Sequence, residues 1–355
     1  MNPASKTATS HADLRAANLY RVAIVGAASL MGKELAEVLR DRNFPAVDIR
    51  LLDDDESLGQ LEAVGDEMSF IQSVRAEQFE RVDFTFFACD AQSTRTSWRA
   101  ARDLGNTIVD LSNALEDEPA ASVRSPWIER QAGQSVPPQL QPGPVVVAHP
   151  AATTLALLAL RAHKAAKVER IIATVLEPAS EYGQKGMDEL HEQTVHLLSF
   201  QELPKNVFDA QVAFNLIARF GPRSSHSLDS LVWRILRHYR RVAPGTVEPS
   251  LLVLQAPVFH GHAFSIYLET EKPIAVKDFS EALAGEHVVV AKPEDTPNNV
   301  SAAGQGDILV SLTTDANRKN GFWLWAVIDN LRVAALSAIE CAETLTASRP
   351  RGQIQ

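Results

Sequence analysis

The stretch Val145-Val-Val-Ala-His-Pro-Ala-Ala-Thr-Thr154, running on into Leu155-Ala-Leu-Leu-Ala-Leu-Arg-Ala-His163, is placed where a chain of this kind could do chemistry. Three β-branched residues, a His-Pro break and an apolar run of helical length predict a buried strand, a tight turn and a helix. A turn at a helix N-terminus gathers free N–H groups and the positive end of the helix dipole, so a nucleophile there would have its anion stabilised. The turn offers Ala151 and Ala152, and a methyl group neither attacks a carbonyl nor carries a proton. A second candidate is the loop Gly26-Ala-Ala-Ser-Leu-Met-Gly32, between an apolar strand at Tyr20–Val25 and a helix from Lys33. Strand, glycine turn and helix open a dinucleotide-binding unit whose backbone N–H groups receive a pyrophosphate, although this spacing alone also fits a simple tight turn. The acids Asp53, Asp54, Asp55 and Glu56 follow the next strand, where such a fold places the group that touches the adenosine ribose. Carboxylates accept from ribose hydroxyls but repel a 2′-phosphate, by about 1 kcal/mol in water to about 4 kcal/mol near a protein surface at ~4 Å. NAD is therefore expected over NADP, with a solvated acidic loop as the plainer alternative. Cys89, at a strand end, reads as packing.

The elements that must position these groups fall into two halves. Over residues 20–149 strands alternate with helices, which predicts a Rossmann-like, doubly wound parallel sheet. Residues 150–329 are richer in strands and predict a second α+β domain with a mixed or largely antiparallel sheet, followed by a final helix over 330–347 assigned to the first domain. Residues 1–19 read as a disordered tail, the Pro-rich piece from Ser135 to Pro144 as an irregular connector, and the residues beyond Ser348 as frayed. A length of 355 residues with 45% hydrophobic and 22% charged residues fits two globular domains. A net charge of -10 argues against nucleic acid as a partner, and the clustered Arg234, Arg237, His238, Arg240 and Arg241 read as a salt-bridged helix surface. No apolar run reaches membrane-spanning length, and two cysteines with no signal sequence fit a cytoplasmic location. His191 and His196, five apart on a helix, do not share a face well enough to chelate an ion.

From Tyr20 to about Glu343 the chain resembles the aspartate-semialdehyde dehydrogenase family. The resemblance is carried by Ile24-Val-Gly-Ala27, Gly183-Gln-Lys-Gly-Met-Asp-Glu-Leu190, Gln211-Val-Ala-Phe-Asn-Leu-Ile217, Pro257-Val-Phe-His-Gly-His262 and Asp329-Asn-Leu-Arg332. It implies a nicotinamide-binding domain and a second domain that both catalyses and dimerises. It also implies a reaction in which a cysteine attacks an aldehyde, a histidine manages the proton, hydride leaves to NADP and phosphate displaces the thioester. Cofactor contacts are implied for Gly26, Ala27, Ser29, Leu30, Met31, Gly32, Asp53, Glu56, Ser180, Gly183 and Asn330. Of the catalytic positions only His262, the base, keeps the family's residue. The nucleophilic cysteine falls on Ala152, the preceding asparagine on His149 and the orienting glutamine on Glu177. The phosphate-gripping arginine falls on Glu116, with Arg124 the next arginine downstream, and the carboxylate-clamping arginine on Gln255. Ser29 stands for a loop glycine and Glu56 for the arginine that reads the 2′-phosphate.

Loss of a nucleophile costs roughly 10⁶ in turnover in a comparable covalent enzyme, and arginine to glutamate reverses the site's sign toward anions. The expectation is a scaffold without its reaction: a pseudoenzyme, as a homodimer or the partner of an active paralogue, that senses NAD or another ligand or binds no cofactor. An active NAD-dependent dehydrogenase is the alternative, as is a repurposed cleft in which Glu177 and His262, with His260 and His149, move protons. His260 and His262, two apart on an extended segment, would share a face and could hold a metal with Glu177. The simpler expectation is no metal, with one inherited histidine beside a solvated one.

Overall fold

The computed structural model describes residues 19–64, 67–134, 143–292 and 294–348; the expected N-terminal tail, most of the Pro-rich connector and the frayed end lie outside the described residues. Contacts divide the chain into two units, one holding residues up to 122, 143–146 and 338 onward, the other 123–134 and 147–337.

The first unit is built on a seven-stranded sheet. Its strands are β1 (Tyr20–Val25), β2 (Ala46–Asp53), β5 (Gln72–Ser73), β6 (Phe84–Phe87), β7 (Thr107–Asp110), β8 (Ser122–Arg124) and β9 (Val145–Val147), with β3 (Leu61–Val64) and β4 (Glu67–Phe70) forming a separate hairpin. The order is β5-β2-β1-β6-β7-β9-β8, and the unit boundary passes through β8 and β9. β1 pairs in parallel with β2 and β6, and β6 with β7, as the alternating pattern predicts. The central strands are apolar on both faces because helices α1 (Leu30–Asp41) and α2 (Ala91–Asp103) supply crossovers, leaving Val22 to Val25 and Phe84 to Phe87 buried. α1 turns Leu35, Ala36, Val38 and Leu39 inward at helical spacing.

The second unit starts with α3 (Pro126–Gln131) and has a six-stranded mixed sheet of order β11-β10-β12-β15-β14-β13. The strands are β10 (Val168–Glu177), β11 (Ser250–Gln255), β12 (His262–Thr270), β13 (Val288–Val290), β14 (Ile308–Thr314) and β15 (Gly321–Ile328). β12 is antiparallel to β10 and β15, whereas β10–β11 and β13–β14 are parallel pairs. Alternation sends Ile171, Ala173, Val175 and Glu177 of β10 to the buried inner face, together with Phe264 and Ile266 of β12 and Leu324 and Ala326 of β15. Helix α4 (Pro150–Ala165), the predicted apolar helix, covers that face and packs on β10, on α6 (Leu228–Val242) and on α7 (Val276–Leu283). α5 (Gly183–Leu198) packs Met187, Leu190 and Leu197 on the core and leaves Leu198 exposed. α8 (Asn299–Ala302) is one short turn. α9 (Asn330–Ser348) starts in the second unit and passes into the first after Ser337, whereas the sequence reading assigned it whole to the first domain. Among the described residues, no helix is long and apolar enough to cross a membrane.

Candidate functional site

Three strand ends of the second sheet meet on its buried side. Glu177 closes β10, Gln255 closes β11 in register with it, and His262 opens β12 one step beyond the Leu176–Ala263 pair. Glu177 and His262 therefore face each other across neighbouring strands, with Nε2 of His262 2.9 Å from Oε2 of Glu177 and both side chains fully buried. The chain leaves β10 through a short 3-10 turn over Ala179–Tyr182, which brings Glu181 back to the same end. His149 arrives from the N-terminus of α4, where its Nδ1 accepts the Ala151 N–H at 3.2 Å, and its own N–H donates to Nδ1 of His238. Nε2 of His149 lies 3.1 Å from Oε1 of Glu181, and the two imidazole centroids are 5.6 Å apart. The Asn330 amide donates to the other Glu181 oxygen at 3.3 Å.

Burial sets the electrostatics. It pushes the Glu177 carboxyl above its usual range, an effect that the adjacent His262 only partly offsets. Burial also acts to raise Glu181, but His149, His262 and Asn330 together outweigh it and hold that carboxylate low. Desolvation works against the charged form of His262, yet the attraction of Glu177 and then Glu181 prevails and raises its pKa. The result is a carboxylate–imidazole pair whose proton could reside on either partner, beside a second carboxylate that stays ionised.

The structure brings His149, Glu177 and His262 together, as a repurposed cleft would require, but sends His260 elsewhere. Its Nε2 is 2.8 Å from Asp329 and its Nδ1 3.3 Å from Ser180, so the expected face shared by His260, His262 and Glu177 does not form. The reason is Gly261, whose φ of +84° breaks the extended alternation between the two histidines. Glu181 was not singled out in the sequence, and its one signal there is an acid four residues after Glu177. Ala152 is buried in the first turn of α4, where its methyl joins the apolar core. Gln255 donates its amide to the carbonyls of Glu177 and Ala256, and its buried Oε1 has no partner among the described residues. Arg124 makes a two-pronged pair with Glu129 at 2.8 and 2.5 Å. His238, grouped by sequence with surface arginines, is buried, and Arg240 pairs with Glu248.

In the first unit the glycine loop packs closely on its own backbone and on the segment after β6. Gly26 takes φ +87°, and an added Cβ would meet the Cys89 nitrogen at 2.5 Å; one on Gly32 would meet the Gly26 carbonyl at 2.1 Å. Ser29 caps α1, accepting from the Gly32 N–H at 2.9 Å and donating to the Ala88 carbonyl at 2.9 Å. Ala27 is buried behind the loop, and Leu30 and Met31 form the first turn of α1. Asp53 accepts from the Ala28 N–H at 2.7 Å and Asp54 caps the next turn, while Glu56 is exposed. Glu116, also in this unit, is buried just beyond Asp110, whose carboxylate organises the turn through Ser112 and Leu115. Burial pushes the Cys89 thiol up to about 12, so it stays protonated at neutral pH. Ser180, Gly183 and Asn330 belong to the second unit, where the Ser180 hydroxyl donates to Asn330 at 3.2 Å and Gly183 takes φ +66°.

Two family models match the chain: the semialdehyde dehydrogenase NAD binding domain over residues 21–141, and the semialdehyde dehydrogenase dimerisation domain over residues 157–333. A USG-1 protein homolog of Pseudomonas aeruginosa is 31% identical over 335 residues, spanning 91% of this chain and 97% of its own. An aspartate-semialdehyde dehydrogenase of Rickettsia bellii is 27% identical over 339 residues, spanning 92% and 97%. The solved structure of a probable aspartate-semialdehyde dehydrogenase from Pseudomonas aeruginosa has a TM-score of 0.82 at 28% identity, over 92% of this chain and 98% of its own.

Proposed function

Because the chain belongs to the semialdehyde dehydrogenase family and carries both of its domains, we propose that it keeps the family's scaffold without the family's reaction. The observation that carries this reading is Ala152: the helix turn that the resemblance assigns to the nucleophile holds a buried methyl. Gln255 supports it, since its amide is tied to backbone carbonyls where the resemblance expects an arginine for the substrate carboxylate. Glu116 replaces the arginine that would hold phosphate, and it adds negative charge. The protein then acts through binding, as a sensor of a dinucleotide or another small ligand, or by pairing with an active relative. NAD fits better than NADP on this reading, because Asp53 and Glu56 fall where the resemblance implies contact with the adenosine ribose, and carboxylates repel a 2′-phosphate. Association as a homodimer is supported by the outer face of the second sheet, where Ile172, Leu252 and Trp323 are exposed.

A second reading, proton-transfer chemistry without a covalent step, is favoured by the direct 2.9 Å contact of Glu177 and His262. A steady-state assay with aspartate semialdehyde, phosphate and either NAD or NADP tests the main reading. Neither the native chain nor Ala152→Cys is expected to turn over, since Glu116 and Gln255 still reject the substrate. Ordinary enzymatic turnover by the native chain would refute the reading, and substantial recovery in Ala152→Cys would show that those two positions do not matter.

A further inference from the structure

His149, Glu177, Glu181 and His262 each present a ligand atom that lies within 4.8 Å of the other three. Hydrogen bonding alone does not satisfy this cluster. Among the described residues, the groups bonded or ion-paired to the two carboxylates are the two imidazoles and the Asn330 amide. His149 accepts the Ala151 N–H at Nδ1 and turns Nε2 toward Glu181. Two carboxylates thus share one largely buried cluster with two imidazoles and one amide. In addition, Oε1 of Glu177 and Nδ1 of His262 are buried with no hydrogen-bond partner among the described residues, and such orphans in a native core call for an ion or water that completes them.

We propose that these four side chains form a binding site for one divalent transition-metal ion of the zinc class. Two imidazole nitrogens and two carboxylate oxygens make a donor set suited to such an ion, and one dication balances both carboxylates. Four protein ligands would close the coordination shell, which favours a structural or sensing ion over one that activates water. Glu181, 24% exposed where the His262 and Glu177 side chains are 0%, marks the side from which an ion enters. If His149 ligates through Nε2, its proton moves to Nδ1 and the 3.2 Å contact with the Ala151 N–H is lost, which makes His149 the weakest of the four ligands. The site does not depend on the loss of dehydrogenase turnover: a chain that bound no metal would leave that reading intact.

The test uses the full chain, stripped by chelation and titrated with Co(II) and then Zn(II). One Co(II) per chain is expected, with the visible absorption of a four-coordinate site, displaced by one equivalent of Zn(II). Removing the buried Glu177 or His262 endangers the fold, so Glu181→Gln at the partly exposed ligand is the decisive variant. It should bind Zn(II) at least about 10-fold more weakly, while His191→Ala, at an exposed helix histidine, should bind like the native chain. Absence of stoichiometric uptake by the native chain would overturn the proposal. So would uptake that Glu181→Gln leaves unchanged or that His191→Ala abolishes.

Discussion

Glu177 and His262 lie 85 positions apart in sequence and meet because β10 and β12 are antiparallel neighbours in one particular register. A sequence can flag both residue types, but pairing them needs the sheet, and here only the family resemblance pointed to both. His260 shows the opposite failure. Its spacing from His262 looked like a shared strand face until Gly261, in a left-handed conformation, turned it toward Asp329. Asp329 illustrates a residue-scale consequence. Burial opposes its ionisation, but His260 and the N–H groups of Arg332 and Gly304 outweigh that and hold its pKa below the usual carboxylate value. A depressed folded-state pKa contributes stability that is present above the unfolded value and is lost as pH falls through the folded one. Asp329→Asn should therefore be less stable than the native chain in urea at pH 7, and the gap should narrow below about pH 4. A gap that stayed constant or widened in acid would show that the carboxylate's charge is not what its partners stabilise.

Among the elements, apolar periodicity located the helices well and their polar faces poorly. α5 was legible from Leu190 and its neighbours, but its buried Glu189 and Gln193 have no apolar signature. They act on a loop: Glu189 accepts from the N–H groups of Val207 and Phe208, while Gln193 accepts from Val212 and Ala213 and donates to the carbonyls of Pro204 and Ala210. A segment without regular structure thus has its backbone groups satisfied by one helix face, one turn apart. Gln193→Ala would leave those groups unpaired in the core and should cost about 3 kcal/mol in denaturant unfolding. A cost under about 1 kcal/mol would mean that water replaces the amide freely. The same blindness hid His238, whose arginine neighbours made α6 look like a basic surface although the imidazole is buried against the N-terminus of α4.

For the molecule as a whole, the order of strands and helices made both architectures legible, a parallel sheet first and a mixed one after it. The divisions between the units were less so. They pass through β8, β9 and α9, and nothing in composition marks a contact boundary inside a continuous strand or helix. The exposed Ile172, Leu252 and Trp323 on a sheet face call for a cover. Sedimentation should accordingly show a dimer whose melting temperature rises with protein concentration, and Trp323→Glu should shift it toward monomer. A native chain that stayed monomeric at tens of micromolar would leave that face to a different partner.

The proposed loss of the family's reaction turns on Ala152, and a single-turnover experiment tests it most directly. Native protein would be mixed at high concentration with aspartate semialdehyde and NAD or NADP, without phosphate, while reduced cofactor and intact mass are followed. No burst of reduced nicotinamide and no covalent acyl adduct are expected. A burst approaching one equivalent per chain, with an adduct released by hydroxylamine, would contradict the account by exposing a working nucleophile.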